Sequence, residues 1–246
     1  MNKLYGLIGF PLSHSFSKKY FTEKFERENI SQHRYELFEI DHISKLGPEV
    51  LAQYPNLCGL NVTIPYKKEV IAYLTDKSHL PLEACNCIKI NEGKLSGFNT
   101  DIVGFEKSLA PLLKTGHSPA LILGTGGAAE AVRYVLNKLQ IPFAVASRRP
   151  SDNTIEYATL TDEAIARHKL IINCTPLGTY PNVNECPPIP YNGIGPAHYL
   201  YDLVYNPAET LFLQKGKERG ATIKNGSDML TIQAEAAWEI WNNPLL

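Results

Sequence analysis

Three polar clusters in the first half of the chain carry side chains able to do chemistry. The first is Ser13-His14-Ser15-Phe16-Ser17. In extended chain its three hydroxyls fall on one side, where they can bind a carboxylate or a phosphate. A helix cap by Ser17, with local turns from the other two, uses the same residues, so both readings stay open. The second is Asn61-Val62-Thr63-Ile64-Pro65-Tyr66-Lys67. Pro65 is placed to open a helix, on which Lys67 shares one face with Val70, Ile71 and Leu74. A cation heading an apolar stripe in a first turn has its neutral form favoured by dipole and burial. That suits proton transfer; a snorkelling lysine fits the spacing equally well. The third is Gly97-Phe98-Asn99-Thr100-Asp101-Ile102-Val103-Gly104. Capping accounts for one of Asn99, Thr100 and Asp101 and leaves spares. Late in the chain, Gln233 sits in a stripe with Met229, Ala236, Ala237 and Ile240. There it needs a hydrogen-bond partner, from a ligand hydroxyl or from the backbone.

The second half opens on a glycine turn. Leu121-Ile122-Leu123 runs into Gly124-Thr125-Gly126-Gly127-Ala128-Ala129-Glu130, and a helical pattern follows. Glycines let a backbone approach a pyrophosphate, and free N–H groups at a helix start point at it. A tight βα turn without ligand has the same glycines, but the strand before and the helix after favour nucleotide binding. About 20 residues on, an NAD site shows an acid for the ribose; this chain reads Ala146-Ser147-Arg148-Arg149. Guanidinium groups suit a 2′-phosphate, which favours NADP over NAD; solvated loop arginines are the alternative.

Something must hold these clusters. Strands are expected at Leu4–Ile8, Tyr35–Ile40, Leu57–Val62, Ala120–Leu123, Phe143–Ala146, Leu170–Asn173 and Tyr199–Val204, with a hairpin from Cys85–Ile90 and Lys94–Phe98. Helices are expected at Phe16–Ile30, Ser44–Gln53, Tyr66–Leu74, Ala128–Leu139, Glu209–Arg219 and Ser227–Trp241. Such alternation argues for an α/β fold with parallel sheets and covering helices. The polar stretch Lys114–Pro119 is a boundary candidate, and Pro181–Pro196 reads as a long surface loop.

Composition excludes other classes. The chain has 246 residues, 24 Lys plus Arg against 25 Asp plus Glu, and 44% hydrophobic residues. One large domain or two small ones are expected, without disorder. Near-neutral charge predicts no nucleic-acid or membrane partner. No apolar run reaches the ~20 residues of a membrane span, and the N-terminal residues do not read as a signal peptide. Five cysteines without a C-x-x-C pair, and seven histidines without metal-ligand spacing, predict reduced thiols, a cytoplasmic setting and no metal.

Taken together, these motifs resemble the shikimate dehydrogenase family over nearly the whole chain. The resemblance rests on Pro11-Leu12-Ser13-His14-Ser15-Phe16-Ser17, Asn61–Lys67, Ala84-Cys85-Asn86-Cys87 and Asn99-Thr100-Asp101-Ile102-Val103-Gly104. It continues through Asn173-Cys174-Thr175-Pro176-Leu177-Gly178 and Tyr201-Asp202-Leu203-Val204-Tyr205. It implies two domains: 1–101 plus 226–246 for substrate, and a Rossmann-type NADP domain over 102–225, with the active site in the cleft between them. The implied reaction is reversible reduction of 3-dehydroshikimate by NADPH to shikimate, on the way to chorismate and the aromatic amino acids. By resemblance Lys67 exchanges the proton and Asp101 pairs with it. Ser15 and Ser17 hold the substrate carboxylate, and Tyr205 closes that side. Thr63, Asn86, Asn99 and Gln233 bind hydroxyls. Gly124, Gly126, Gly127 and Ala128 cradle the cofactor, Ser147, Arg148 and Arg149 receive its 2′-phosphate, and Thr175 and Met229 complete its site. The chain departs from the family pattern at Lys18 for a proline, Cys87 for a threonine, Ser147 and Arg149 in an N-R-T segment, and Asp228 for a glycine near the nicotinamide. Two rivals are a quinate/shikimate dehydrogenase preferring NAD and a nucleotide-binding regulator without catalysis; a homodimer is left open.

Overall fold

The first strand, β1 (Lys3–Gly9), explains the layering of its half of the chain. Leu4 and Ile8 join one apolar cluster, Tyr5 and Leu7 another, so its sheet is covered on both faces. The computed structural model describes residues 2–12, 15–148 and 153–244. Their contacts divide the chain into two units, Met1–Val103 with Gln233–Leu246, and Gly104–Ile232.

In the first unit α1 (Phe16–Arg27) follows β1, then β2 (His33–Glu39) and β3 (Leu57–Val62). A hairpin, β4 (Cys87–Asn91) and β5 (Lys94–Phe98), turns at Gly93, whose φ of 78° suits glycine. The sheet order is β2-β1-β3-β4-β5. β1 pairs in parallel with β2 and β3, and β4 antiparallel with β3 and β5. The unit is therefore a mixed sheet, in which the expected hairpin joins the parallel strands through an antiparallel β3–β4 pair.

Two expected helices are not α-helical. Ser44–Gln53 is a 3₁₀ turn, Ile43–Lys45, running into a π-helical turn, Leu46–Leu51. Pro48 denies this segment a regular ladder. Pro65 opens no helix: residues 64–68 form turns, and a 3₁₀ turn spans Glu69–Tyr73. The premise that a helix dipole acts on Lys67 therefore fails.

The chain leaves the first unit inside α2 (Thr100–Leu109). In the second unit β6 (Ala120–Leu123), α3 (Gly127–Lys138), β7 (Phe143–Ser147), β8 (Ile155–Glu156), α4 (Asp162–Arg167) and β9 (Leu170–Asn173) follow. Then come β10 (Tyr199–Asp202), α5 (Leu211–Lys217) and β11 (Thr222–Lys224). The order β11-β10-β9-β6-β7-β8 is parallel throughout. Strand order reverses between β6 and β9, and ligands of doubly wound sheets bind beyond the carboxyl ends of strands at such a point. The chain re-enters the first unit inside α6 (Ser227–Asn242). Lys114–Pro119 lies within the second unit, because both crossings are inside helices, where composition does not change.

Candidate active site

In the first unit the polar clusters converge. Lys67 stands on the turn after β3. Its carbonyl accepts from Cys85 N–H at 2.7 Å, and the neighbouring Tyr66 hydroxyl donates to the Ile40 carbonyl at 2.6 Å. Both bonds fix the turn to the sheet. Lys67 Nζ lies 2.6 Å from Asp101 Oδ2, with side chains 19% and 11% exposed. An ion pair so little solvated keeps its geometry. Asn86 Nδ2 donates to the other oxygen, Asp101 Oδ1, at 2.8 Å and to Thr100 Oγ1 at 3.0 Å. Asn86 Oδ1 accepts from Thr100 N–H at 2.6 Å. Asp101 and Thr100 are thus the spares that capping leaves over.

Asn99 is the cap. Its Oδ1 accepts from Ile102 N–H at 3.3 Å and its Nδ2 donates to the Ala84 carbonyl at 2.8 Å. Gln233, buried on α6, accepts from Thr100 Oγ1 at 3.4 Å. The α1 cap is Ser15, whose oxygen accepts from Lys18 N–H at 3.3 Å. Ser17 instead lies in the first turn, so the extended-chain picture of its hydroxyl does not hold. Ser13 and His14 lie outside the described residues. Ser17 hydrogen-bonds the Tyr35 hydroxyl, which donates to Asn61 Oδ1 at 2.7 Å; Asn61 Nδ2 reaches the Asn86 carbonyl at 3.4 Å. Tyr35 and Asn61 escaped the sequence reading as site residues; a buried asparagine near the end of a core strand was the available signal. Thr63 is half-buried beside this network, its N–H on the Ile8 carbonyl at 3.0 Å. Burial pushes the Cys85 thiol up to about 11, so this neighbour of the pair is a neutral packing group. A separate cavity of about 760 Å³ lies against β2 and α1, lined by Lys18, Arg34 and Glu36 among others, and does not include Lys67 or Asp101.

The second unit supplies the glycine turn. Gly124 has φ of 102°, and a Cβ there would stand 2.9 Å from Thr175 Cγ2; only glycine meets both demands. Gly126 caps α3 with no side-chain bond, and a Cβ on Gly127 would meet nothing within 4 Å. Gly126 and Gly127 are exposed, and Ala128 is half-buried. An uncapped helix start with open space above it fits a pyrophosphate. Ser147 is buried at the end of β7 and Arg148 is exposed just beyond it; Arg149 lies outside the described residues. Thr175 is fixed by Asn173 Oδ1, which accepts its N–H at 3.0 Å and its hydroxyl at 2.6 Å. Met229 is buried on α6 and Tyr205 is exposed after β10.

Asp228, in the first turn of α6, pairs with Lys224 at the end of β11, so its charge does not face solvent alone. Asp228→Gly is accordingly expected to tighten NADP⁺ binding only by up to about fivefold, the worth of an exposed ion pair. Calorimetric titration checks this; an unchanged affinity would make Asp228 a first-turn residue and nothing more.

A cradle at a switch point of a parallel sheet, and a lysine–carboxylate pair able to pass a proton, define a nicotinamide-dependent dehydrogenase. The family model for the shikimate dehydrogenase substrate binding domain matches residues 7–88. The chain is 35% identical to shikimate dehydrogenase (NADP(+)) of Methanococcus maripaludis, over 97% of its own length and 91% of the relative's. A chorismate mutase/shikimate 5-dehydrogenase fusion protein from Clostridium acetobutylicum superposes with a TM-score of 0.84 at 37% identity, covering 98% of this chain and 92% of that one. Shikimate 5-dehydrogenase from Thermus thermophilus, solved with NADP(H) and shikimate, gives 0.85 at 27% identity, covering 98% and 93%. The chain belongs to the shikimate dehydrogenase family. Among the described residues no helix is long and apolar enough to cross a membrane, and no group of His, Cys, Asp or Glu is arranged to hold a metal.

Proposed function

We propose that this protein catalyses the reversible NADPH-dependent reduction of 3-dehydroshikimate to shikimate. The observation that carries the reading is the Lys67–Asp101 pair, 2.6 Å apart and braced by Asn86. NADPH, when bound, supplies the hydride that reaches the ketone carbon. Lys67 gives the proton that the oxygen needs, and takes it back in the reverse direction. An ammonium has three donors; one holds Asp101, so the others can face the substrate oxygen. Asp101 keeps the lysine head in place and accepts from a substrate hydroxyl. Thr63, Asn86 and Gln233 bind the remaining hydroxyls, with Asn99 shaping the start of α2 beside them. Ser15 and Ser17 take the carboxylate, Ser17 being held through Tyr35.

On the cofactor side, Gly124, Gly126, Gly127 and Ala128 present the cradle, Thr175 and Met229 complete it, and Ser147, Arg148 and Arg149 take the 2′-phosphate. Five free cysteines fit a reducing, cytoplasmic setting. The test is absorbance of the reduced nicotinamide with shikimate or quinate, each with NADP⁺ and NAD⁺. Shikimate with NADP⁺ is the expected pair, preferred over NAD⁺ by at least about tenfold in kcat/KM. Arg148→Ala with Arg149→Ala should erase most of that preference, since a charged hydrogen bond is worth ~1.5–3 kcal/mol. Equal use of NAD⁺ by the unmodified protein would overturn the cofactor assignment.

A further inference from the structure

Asp202 ends β10 with no solvent exposure, and no step above uses it. Its Oδ1 accepts from Asn173 Nδ2 at 2.9 Å and from Val204 N–H at 3.0 Å; its Oδ2 accepts from Thr210 Oγ1 at 2.6 Å. Asn173, equally closed to solvent, passes the connection on. Its Oδ1 accepts both the N–H and the hydroxyl of Thr175, whose methyl fills the space a Cβ on Gly124 would need. Cys174 N–H is meanwhile tied to the Leu123 carbonyl at 2.8 Å. On the other side, the Val204 carbonyl accepts from Gly226 N–H at 3.2 Å. One carboxylate thus joins the turns after β9 and β10, at the carboxyl end of the sheet where the glycine turn follows β6.

Stability does not explain the charge. Burial raises the Asp202 pKa from 3.8 to about 6. A folded-state value above the unfolded one means that ionising this group costs stability, in full at every pH above about 6 and not at all below the unfolded value. The charge weakens the fold at neutral pH, while the bonds it accepts order two loops.

We propose that Asp202 is a positioning residue for NADP⁺: acting through Asn173, it sets the turn that carries Thr175 against Gly124. This rests on the NADP reading above. The test titrates NADP⁺ calorimetrically into the full chain and its variants, with thermal unfolding of each. In Asp202→Ala the Kd should rise roughly 10- to 100-fold, the worth of one or two charged hydrogen bonds. Asp202→Asn keeps an acceptor oxygen for Asn173 and Val204, and should stay within about tenfold of the unmodified protein. Asn173→Ser, too short to span Asp202 and Thr175, should weaken binding as Asp202→Ala does. Wild-type affinity in a folded Asp202→Ala, whatever its Tm, overturns the proposal. Where Asp202→Ala does not fold, wild-type affinity in Asn173→Ser overturns it, and so does a loss beyond tenfold in folded Asp202→Asn. If the unmodified protein binds no NADP⁺, the functional reading fails and this proposal with it. If it binds and the variants bind equally, only this proposal fails.

Discussion

Lys67→Ala is expected to cut turnover at saturating shikimate by roughly 10²–10⁴-fold, the usual worth of one general acid–base group. Lys67 is the cation whose Nζ meets Asp101 at 2.6 Å with little solvent around it. Removing it deletes the proton donor while leaving Asn86, Thr100 and Gln233 tied to one another. The loss should therefore fall on kcat, with KM for shikimate nearly constant. Asp101→Asn should lower kcat and raise KM together. It loses the charge that holds the ammonium and the anionic acceptor that holds a substrate hydroxyl. The control is Lys68→Ala, one residue on and exposed. Equal, near-normal turnover in Lys67→Ala and Lys68→Ala would show Lys67 to be a snorkelling lysine.

The second large effect is on folding. Trp241→Ala is expected to destabilise the first unit by about 3–5 kcal/mol, the usual cost of truncating a buried tryptophan. Trp241 is 5% exposed and donates Nε1–H to the Ile88 carbonyl at 3.0 Å. It stacks on Tyr5 at 4.9 Å and lies 5.3 Å from Phe21 between ring centres. It also covers Gly59 so closely that a Cβ there would sit 2.4 Å from its ring. The alanine leaves a cavity on the sheet and removes the bond that the indole N–H gives the Ile88 carbonyl. The chain has two tryptophans, Trp238 and Trp241, both on the first-unit part of α6. In the variant, Trp238 emission therefore reports this unit alone. A urea midpoint equal to that of the unmodified protein would remove Trp241 from the list of core supports.

Strands were legible wherever an apolar run had clear ends. Leu57–Val62, Lys94–Phe98, Ala120–Leu123 and Leu170–Asn173 have the bounds read from sequence. Elements of two, three and six residues, β8, β11 and α4, went unread, because segments so short hold too few positions to show a period. The Lys67 helix was misread because Pro65 is common both at a helix start and within a turn. Local sequence could offer only capping for Asn99, Thr100 and Asp101. What separates them is Asn86, remote in sequence, which engages Thr100 and Asp101 and leaves Asn99 to cap. Asp202 looked like a landmark without a task for the same reason: its partners Asn173 and Thr210 come from two other elements.

Helix α6 has a consequence for how the protein is made. The first unit is discontinuous: its strands are complete by Phe98, but Ala234, Ala237 and Trp241 come only after the whole of the second unit. At ribosomal rates of roughly 5–20 residues per second, the gap is on the order of ten seconds. During that time Tyr5, Leu7, Phe21 and Tyr35 have α1 but lack the cover that α6 supplies, whereas the second unit is one continuous segment. The nascent chain should therefore acquire a protease-resistant Gly104–Ile232 region before its N-terminal half is resistant, and the unfinished half is the natural client of a chaperone at the tunnel exit.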